Sequence, residues 1–183
     1  MPSWNKIARR IRVPLGFVFA AAYIWLASPT VSSIAIGVGV ALAGLCIRAF
    51  ASGHVDKNEL LATTGPYAYT RNPLYLGSLV LAAGFLIAAR SWWLPLIATV
   101  MLFAIYFPVI RSEEVFLRTR FPEFSNYASQ VPRLVPRLRP YRNPSGTNSF
   151  SWHLYWKHRE YNAALGTGLM IAALVVKSVW FTK

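Results

Sequence analysis

Two adjacent glutamates, Glu113 and Glu114, follow one long apolar segment, and the stretch Gly65–Gly77, GPYAYTRNPLYLG, precedes another. The chain has six acids, Asp56, Glu59, Glu113, Glu114, Glu123 and Glu160, against nineteen Lys and Arg. Paired carboxylates in so basic a chain need a partner. One reading is salt bridges to Arg111 or Arg118, worth little if exposed. The other is a site for an organic cation, held by carboxylate charge and by aromatic ring faces. Tyr67, Tyr69 and Tyr75 supply rings and hydroxyls, although each also suits a membrane-interface belt. Arg71 offers a fork that fits a carboxylate, either a ligand's or a glutamate's. Pro66 and Pro73 restrict the loop, while Gly65 and Gly77 permit turns or close approach. A rigid pocket of this kind suits group transfer, where alignment of the reacting atoms supplies much of the rate.

The order of these residues resembles the isoprenylcysteine carboxyl methyltransferase family, integral membrane enzymes that use S-adenosyl-L-methionine. The resemblance covers about Glu59 to Pro132. Its carriers are Gly65, Tyr67, Arg71, Asn72, Pro73, Tyr75, Gly77, Glu113 and Glu114, with an apolar hairpin between the loop and the glutamates. It implies a cofactor loop around Tyr67 and Asn72–Tyr75, including Leu74, closed by one glutamate of the pair. It also implies that Glu59-Leu60-Leu61-Ala62 lines the cofactor and that Arg111 orients an acceptor carboxylate. Asn72 and Glu59 stand where the family usually has His. Asn keeps its hydrogen bonds but cannot titrate. For a carboxylate acceptor no general base is needed. For an amine acceptor a base such as Glu114 must take a proton, which describes a phospholipid N-methyltransferase. A non-catalytic lipid- or cofactor-binding membrane protein is the reading from another class. Membrane reductases using NADPH need a dinucleotide cleft, for which this chain offers little.

The elements that must position these residues are apolar helices. The chain is 55% hydrophobic and 15% aromatic, with mean hydropathy +0.40 over 183 residues. A helix crosses about 30 Å of hydrocarbon with about 20 apolar residues. Five segments qualify, at about 13–27, 31–50, 74–89, 92–110 and 163–181, so the expected fold is an all-α integral membrane protein of one domain. Ser28-Pro29-Thr30 and Arg90-Ser91 read as turns closing two antiparallel hairpins. A cofactor pocket built from loops and short helices lies at one membrane face. Phe121–Val131 reads as a short surface helix with Pro122 in its first turn and Phe124, Tyr127, Ala128 and Val131 on one face, able to cover the pocket. Arg133–Arg142 reads as an extended basic strip near anionic headgroups, and Pro144–Ser149 as a linker. Neither receives a chemical role from the sequence.

Sixteen of the nineteen cations fall on one side of these spans, leaving Arg90, Lys177 and Lys183 on the other. The positive-inside rule then makes the N-terminus and the active site cytoplasmic and the C-terminus external. The expected setting is a prokaryotic inner or plasma membrane, with membrane lipids as neighbours and a lipophilic methyl acceptor arriving from the bilayer. The net charge of +13 is explained by topology rather than by nucleic acid. The single Cys46 permits no intramolecular disulfide, and His153 and His158 lack the spacing of a zinc helix. A Gly-rich dinucleotide fingerprint is absent. No ionisable residue falls at the centre of a span, which argues against channels and proton-coupled transporters.

Overall fold

The structure, a computed structural model, describes residues 4–56, 59–142 and 149–180. Lys57, Lys183, Phe181 and the 144–148 part of the expected linker lie outside the described residues. Helices α1 (Trp4–Leu26), α2 (Val31–Ser52), α3 (Pro73–Ala89), α4 (Trp93–Met101) and α5 (Phe107–Arg120) are followed by the short α6 (Phe124–Gln130) and α7 (Trp152–Lys157), then α8 (Tyr161–Trp180). Among the described residues there is no β-strand. Among the described residues three stretches are long and apolar enough to cross a membrane, Val31–Ser52, Trp93–Arg120 and Tyr161–Trp180, and Val13–Leu26 and Pro73–Ala89 are shorter apolar helices.

Turns form where small and capping residues make them. Thr30 caps α2: its hydroxyl accepts from the Ser33 amide at 3.2 Å, and its own amide donates to Ser33 Oγ at 2.9 Å. Ser33 Oγ also donates to the Ala88 carbonyl, and the Ser28 amide to that of Ala89. The α1–α2 turn is thereby tied to the end of α3. Arg90 ends α3 in the left-handed region, at φ 49°.

The closest helix pair is α2 with α3, and glycines permit the approach. A β-carbon on Gly37 would lie 2.5 Å from the Gly84 carbonyl oxygen, and one on Gly44 would lie 2.5 Å from the Leu81 nitrogen. Gly77 and Gly84 answer from α3, in contact with the backbones of Gly44 and Gly37. With lipid rather than water outside, such backbone packing is what holds helices together. Beside this pair, Tyr23 of α1 packs with Ala88, Ala89, Leu94 and Leu174, and its hydroxyl donates to the Phe85 carbonyl at 2.7 Å. Leu15 of α1 packs on Ile105 and Val109. Thus α1 runs antiparallel to the α4–α5 helix.

The fourth expected span does not end at Ile110. The chain stays helical from Trp93 to Arg120, through a π-helical turn at Leu102–Tyr106. Pro108 lacks an amide and its ring crowds the preceding turn, so the ladder opens there. The glutamate pair therefore stands on a helix, not in a loop. The last long helix starts at Tyr161, two residues before its expected start.

One end of the bundle collects the C-terminus of α2, the start of α3, the end of α5 and the start of α8. Arg48 of α2 bonds Glu160, just before α8, at 2.5 Å, and donates to Ser78 Oγ of α3. At the opposite end Lys177 of α8 caps α1, donating to the carbonyls of Ile24 and Trp25 at 2.5 and 2.9 Å. Trp25, Trp92, Trp93 and Trp180 are exposed at that end, and Trp152 and Trp156 at the first. Tryptophans at both ends of an apolar bundle mark two membrane–water interfaces.

Candidate functional site

Gly65–Ala68 forms a single 3-10 turn that starts at φ +55° on Gly65. A side chain there would also strike the imidazole of His54, 2.5 Å from a β-carbon. Pro73 opens α3 at a position where no amide is needed, and Asn72 is the residue before it. The loop thus delivers Arg71, Asn72 and Tyr75 to the flank of α5.

There Glu114, 5% exposed, is the centre of a charged knot. Arg133 grips it with a two-pronged fork, Nε to Oε1 at 3.0 Å and Nη2 to Oε2 at 2.7 Å. Arg71 Nη1 stands 3.7 Å from Oε1, and Asn72 Nδ2 donates to Oε1 at 3.4 Å and to the Arg133 carbonyl at 3.1 Å. Glu114 lies beyond the apolar part of its helix. Burial pushes its carboxyl up, but the Arg133 bonds, the Arg71 charge and Asn72 together outweigh burial and hold it below the usual carboxylate range. Burial lowers Arg71, against the pull of Glu114, while the Glu114 bond raises Arg133. Two guanidiniums around one carboxylate leave an excess positive charge. Arg71 Nε is buried and makes no hydrogen bond. A buried donor without an acceptor is costly, so it is available to an incoming acceptor.

Glu113 points to other partners. It accepts from the Tyr75 hydroxyl at 3.1 Å, and the Tyr75 ring meets Tyr106 edge-on with centroids 6.5 Å apart. Tyr106 belongs to the π-turn. A half-buried carboxylate beside two rings suits a cation.

The two members of the glutamate pair therefore have different surroundings. Neither makes the salt bridge to Arg111 or Arg118 that is one of the two readings of the sequence. Arg111 is exposed, and its guanidinium covers the Phe107 ring at 4.7 Å. Arg133 covers the same ring at 5.6 Å, so Phe107 separates the half-buried arginine from the exposed one.

The other expected site residues divide. Tyr67 is buried, and its carbonyl accepts from Tyr127 at 2.6 Å. Burial raises both phenols. Leu74 packs with Ala51, Ala62 and Tyr67, while Leu61 packs with Phe121, Phe124 and Tyr127. Glu59 and Leu60 are exposed, away from that packing. Gly77 lies in the α2–α3 contact, where a β-carbon would meet Arg48 Cγ at 2.7 Å. Its role in this fold is helix packing.

Sequence reasoning missed Arg133. It sits in a proline-broken basic strip that carries no periodic signal. In the structure that strip returns across the loop: the Arg71 amide donates to Pro132, Arg137 to Tyr69 and Tyr141 to Ala68, at 2.9, 3.0 and 2.8 Å. The short helix before it begins at Phe124, with Pro122 in the turn ahead of it rather than in its first turn. Its expected face is otherwise observed: Phe124, Tyr127 and Val131 are buried and Ala128 packs against them. Among the described residues no group of three or more His, Cys, Asp or Glu side chains converges.

Comparison with known proteins places this geometry in context. A phospholipid methyltransferase family model matches residues 15–123. The cobalt-zinc-cadmium resistance protein CzcN of Cupriavidus metallidurans is 36% identical over 146 residues, covering 78% of this chain and 63% of that protein. The nickel-cobalt-cadmium resistance protein NccN of Alcaligenes xylosoxydans xylosoxydans is 35% identical over 122 residues, 66% of this chain and 56% of its own length. The protein-S-isoprenylcysteine O-methyltransferase of Schizosaccharomyces pombe is 30% identical over 84 residues, 45% of this chain and 36% of that enzyme. The chain spans about three-fifths of the length of the first two relatives. No solved structure matches it.

Proposed function

The chain belongs to the phospholipid methyltransferase family, and from that premise we propose that it transfers a methyl group from S-adenosyl-L-methionine to a lipophilic acceptor at the membrane interface. The observation that carries this reading is the pairing of opposite binding chemistries at one bundle end: an unpartnered buried donor on Arg71 and a carboxylate, Glu113, beside Tyr75 and Tyr106. A cofactor with a carboxylate, an ammonium and a sulfonium fits such a donor set. When bound, it supplies an electrophilic methyl group.

The chain's own residues divide the remaining work. Arg71 offers Nε to the carboxylate end. Glu113 and the two tyrosine rings hold the cationic end. Glu114 is committed to Arg133, Arg71 and Asn72 and is held below its usual range. It therefore acts as the post that fixes those three groups and makes a poor general base. Asn72 makes both of its hydrogen bonds without titrating, so the knot does not need the imidazole that the family usually places there.

With Glu114 so committed, an acceptor that arrives already ionised, such as a carboxylate, is favoured over an amine. In this reading Arg111, exposed beside Phe107, holds that carboxylate. The similarity to the isoprenylcysteine enzyme supports this acceptor class. The family description supports the runner-up, a phospholipid amine, for which Glu113 rather than Glu114 is the available base. Purified protein given labelled cofactor and either a prenylcysteine analogue or phosphatidylethanolamine separates the two. The leading reading expects label in the carboxyl methyl ester, released by mild base. Label in the amine alone would replace it with the runner-up.

A further inference from the structure

The segment after α6 is tied to the site by its backbone and exposed by its side chains. Arg133 holds Glu114, and its carbonyl accepts from Thr70 Oγ1 and Asn72 Nδ2, each at 3.1 Å. The amides of Arg137 and Tyr141 donate to Tyr69 and Ala68 of the cofactor loop. Between these ties the chain turns two apolar residues outward. Leu138 is 99% exposed and Val135 is 76% exposed. Arg139 and Arg142 are exposed beside them. Arg137 donates to the Gln130 carbonyl at 3.0 Å, which orients its stem. An apolar tip flanked by arginines has little reason to face bulk water. It has the composition of a membrane-surface anchor, whose apolar residues enter the headgroup layer while the cations meet lipid phosphates.

We propose that residues 132–142 form a latch that anionic bilayer lipid seats onto the site. Leu138 and Val135 enter the headgroup layer, and Arg139 and Arg142 bind the phosphates. Seating stiffens the backbone bonds to Ala68, Tyr69 and Arg71 and so fixes Arg133 on Glu114. The occupant is anionic lipid because the patch presents only cations and apolar groups, with no acid between Pro132 and Arg142. The inference extends the proposed methyl-transfer site by naming what regulates it, yet its readouts need neither cofactor nor turnover.

The test uses the full chain in nanodiscs of phosphatidylcholine alone or mixed with phosphatidylglycerol. Leu138→Cys on a Cys46→Ser background carries an environment-sensitive fluorophore, and nitroxide-bearing lipids report its depth. Hydrogen exchange follows the amides of Arg71, Arg137 and Tyr141. The proposal expects quenching of the probe by nitroxide lipid. It also expects slower exchange with phosphatidylglycerol, by up to about fivefold for each cation engaged, the factor a juxtamembrane cation contributes at an anionic surface. Arg139→Gln with Arg142→Gln should erase that lipid dependence. A water-exposed probe in both bilayers would overturn the proposal, as would exchange rates that ignore lipid charge. A lipid effect that survives the double substitution would overturn it too, by placing the lipid elsewhere.

Discussion

The residue that organises the site is Glu114, and its partner Arg133 is the sharper test of the arrangement. Replacing Arg133 by Gln leaves a buried carboxylate with Arg71 at 3.7 Å and the Asn72 amide at 3.4 Å as its remaining partners. The loss should be about 2 kcal/mol, below the figure for a fully buried pair because Arg133 is a third exposed. Thermal unfolding in detergent measures it. Arg111→Lys should leave stability unchanged, since Arg111 is exposed and only covers the Phe107 ring. The pH dependence has a definite sign. The folded carboxyl of Glu114 sits below its unfolded value, so its stabilisation is present above the ordinary glutamate pKa of about 4.3. It fades as the pH falls below that value and is gone once the pH has passed below the lowered folded value. Wild type should therefore lose stability on acidification in a window where Glu114→Gln shows no further loss. Parallel acid curves for the two proteins would deny the knot its role. The glutamate pair, Tyr75, Arg71 and Asn72 were legible because rare acids and a proline-framed loop stand out in a basic apolar chain. Arg133 was not, because one arginine among several in an irregular strip has no pattern that marks it. Only the returning backbone shows which one reaches Glu114.

At the scale of elements, the α2–α3 contact sets where the loop and Tyr75 stand. Gly44→Leu forces a side chain into the Leu81 backbone and should cost at least about 2 kcal/mol, together with site function. Gly39→Leu is the matched control, because a β-carbon at Gly39 meets nothing within 4 Å. Circular-dichroism melts of the two variants should therefore diverge, and equal melts would mean that close packing is not what positions α3. The helices were legible from apolar length, and their turns from proline and small residues. The packing glycines were not, since Gly37 and Gly44 are seven residues apart and fit no short motif. Their partners Gly77 and Gly84 repeat that spacing on α3, so the pairing appears only once the two helices are laid antiparallel. The π-turn before Pro108 and the helical continuation to Arg120 also escaped the sequence. Hydropathy ends a span at its first charge, whereas the backbone ladder continues for as long as its bonds can be made.

At the scale of the molecule, the fold gathers the acids and most cations at one end and the residues Arg90 and Lys177 at the other. From this division and the positive-inside rule we propose five crossings with a cytoplasmic N-terminus and site. Reporter fusions after Lys183 and within Arg133–Arg142 should fall on opposite sides, and the same side for both would remove a crossing from the account. The central claim is that this end of the bundle binds S-adenosyl-L-methionine and passes on its methyl group. Its most direct test is transfer of labelled methyl from the cofactor into lipophilic extract by purified protein in nanodiscs, for wild type and Glu113→Ala. The account predicts time-dependent label with wild type and at least about a tenfold loss with Glu113→Ala, the equivalent of one charged contact. Folded wild-type protein that transfers no label and binds no cofactor would contradict it.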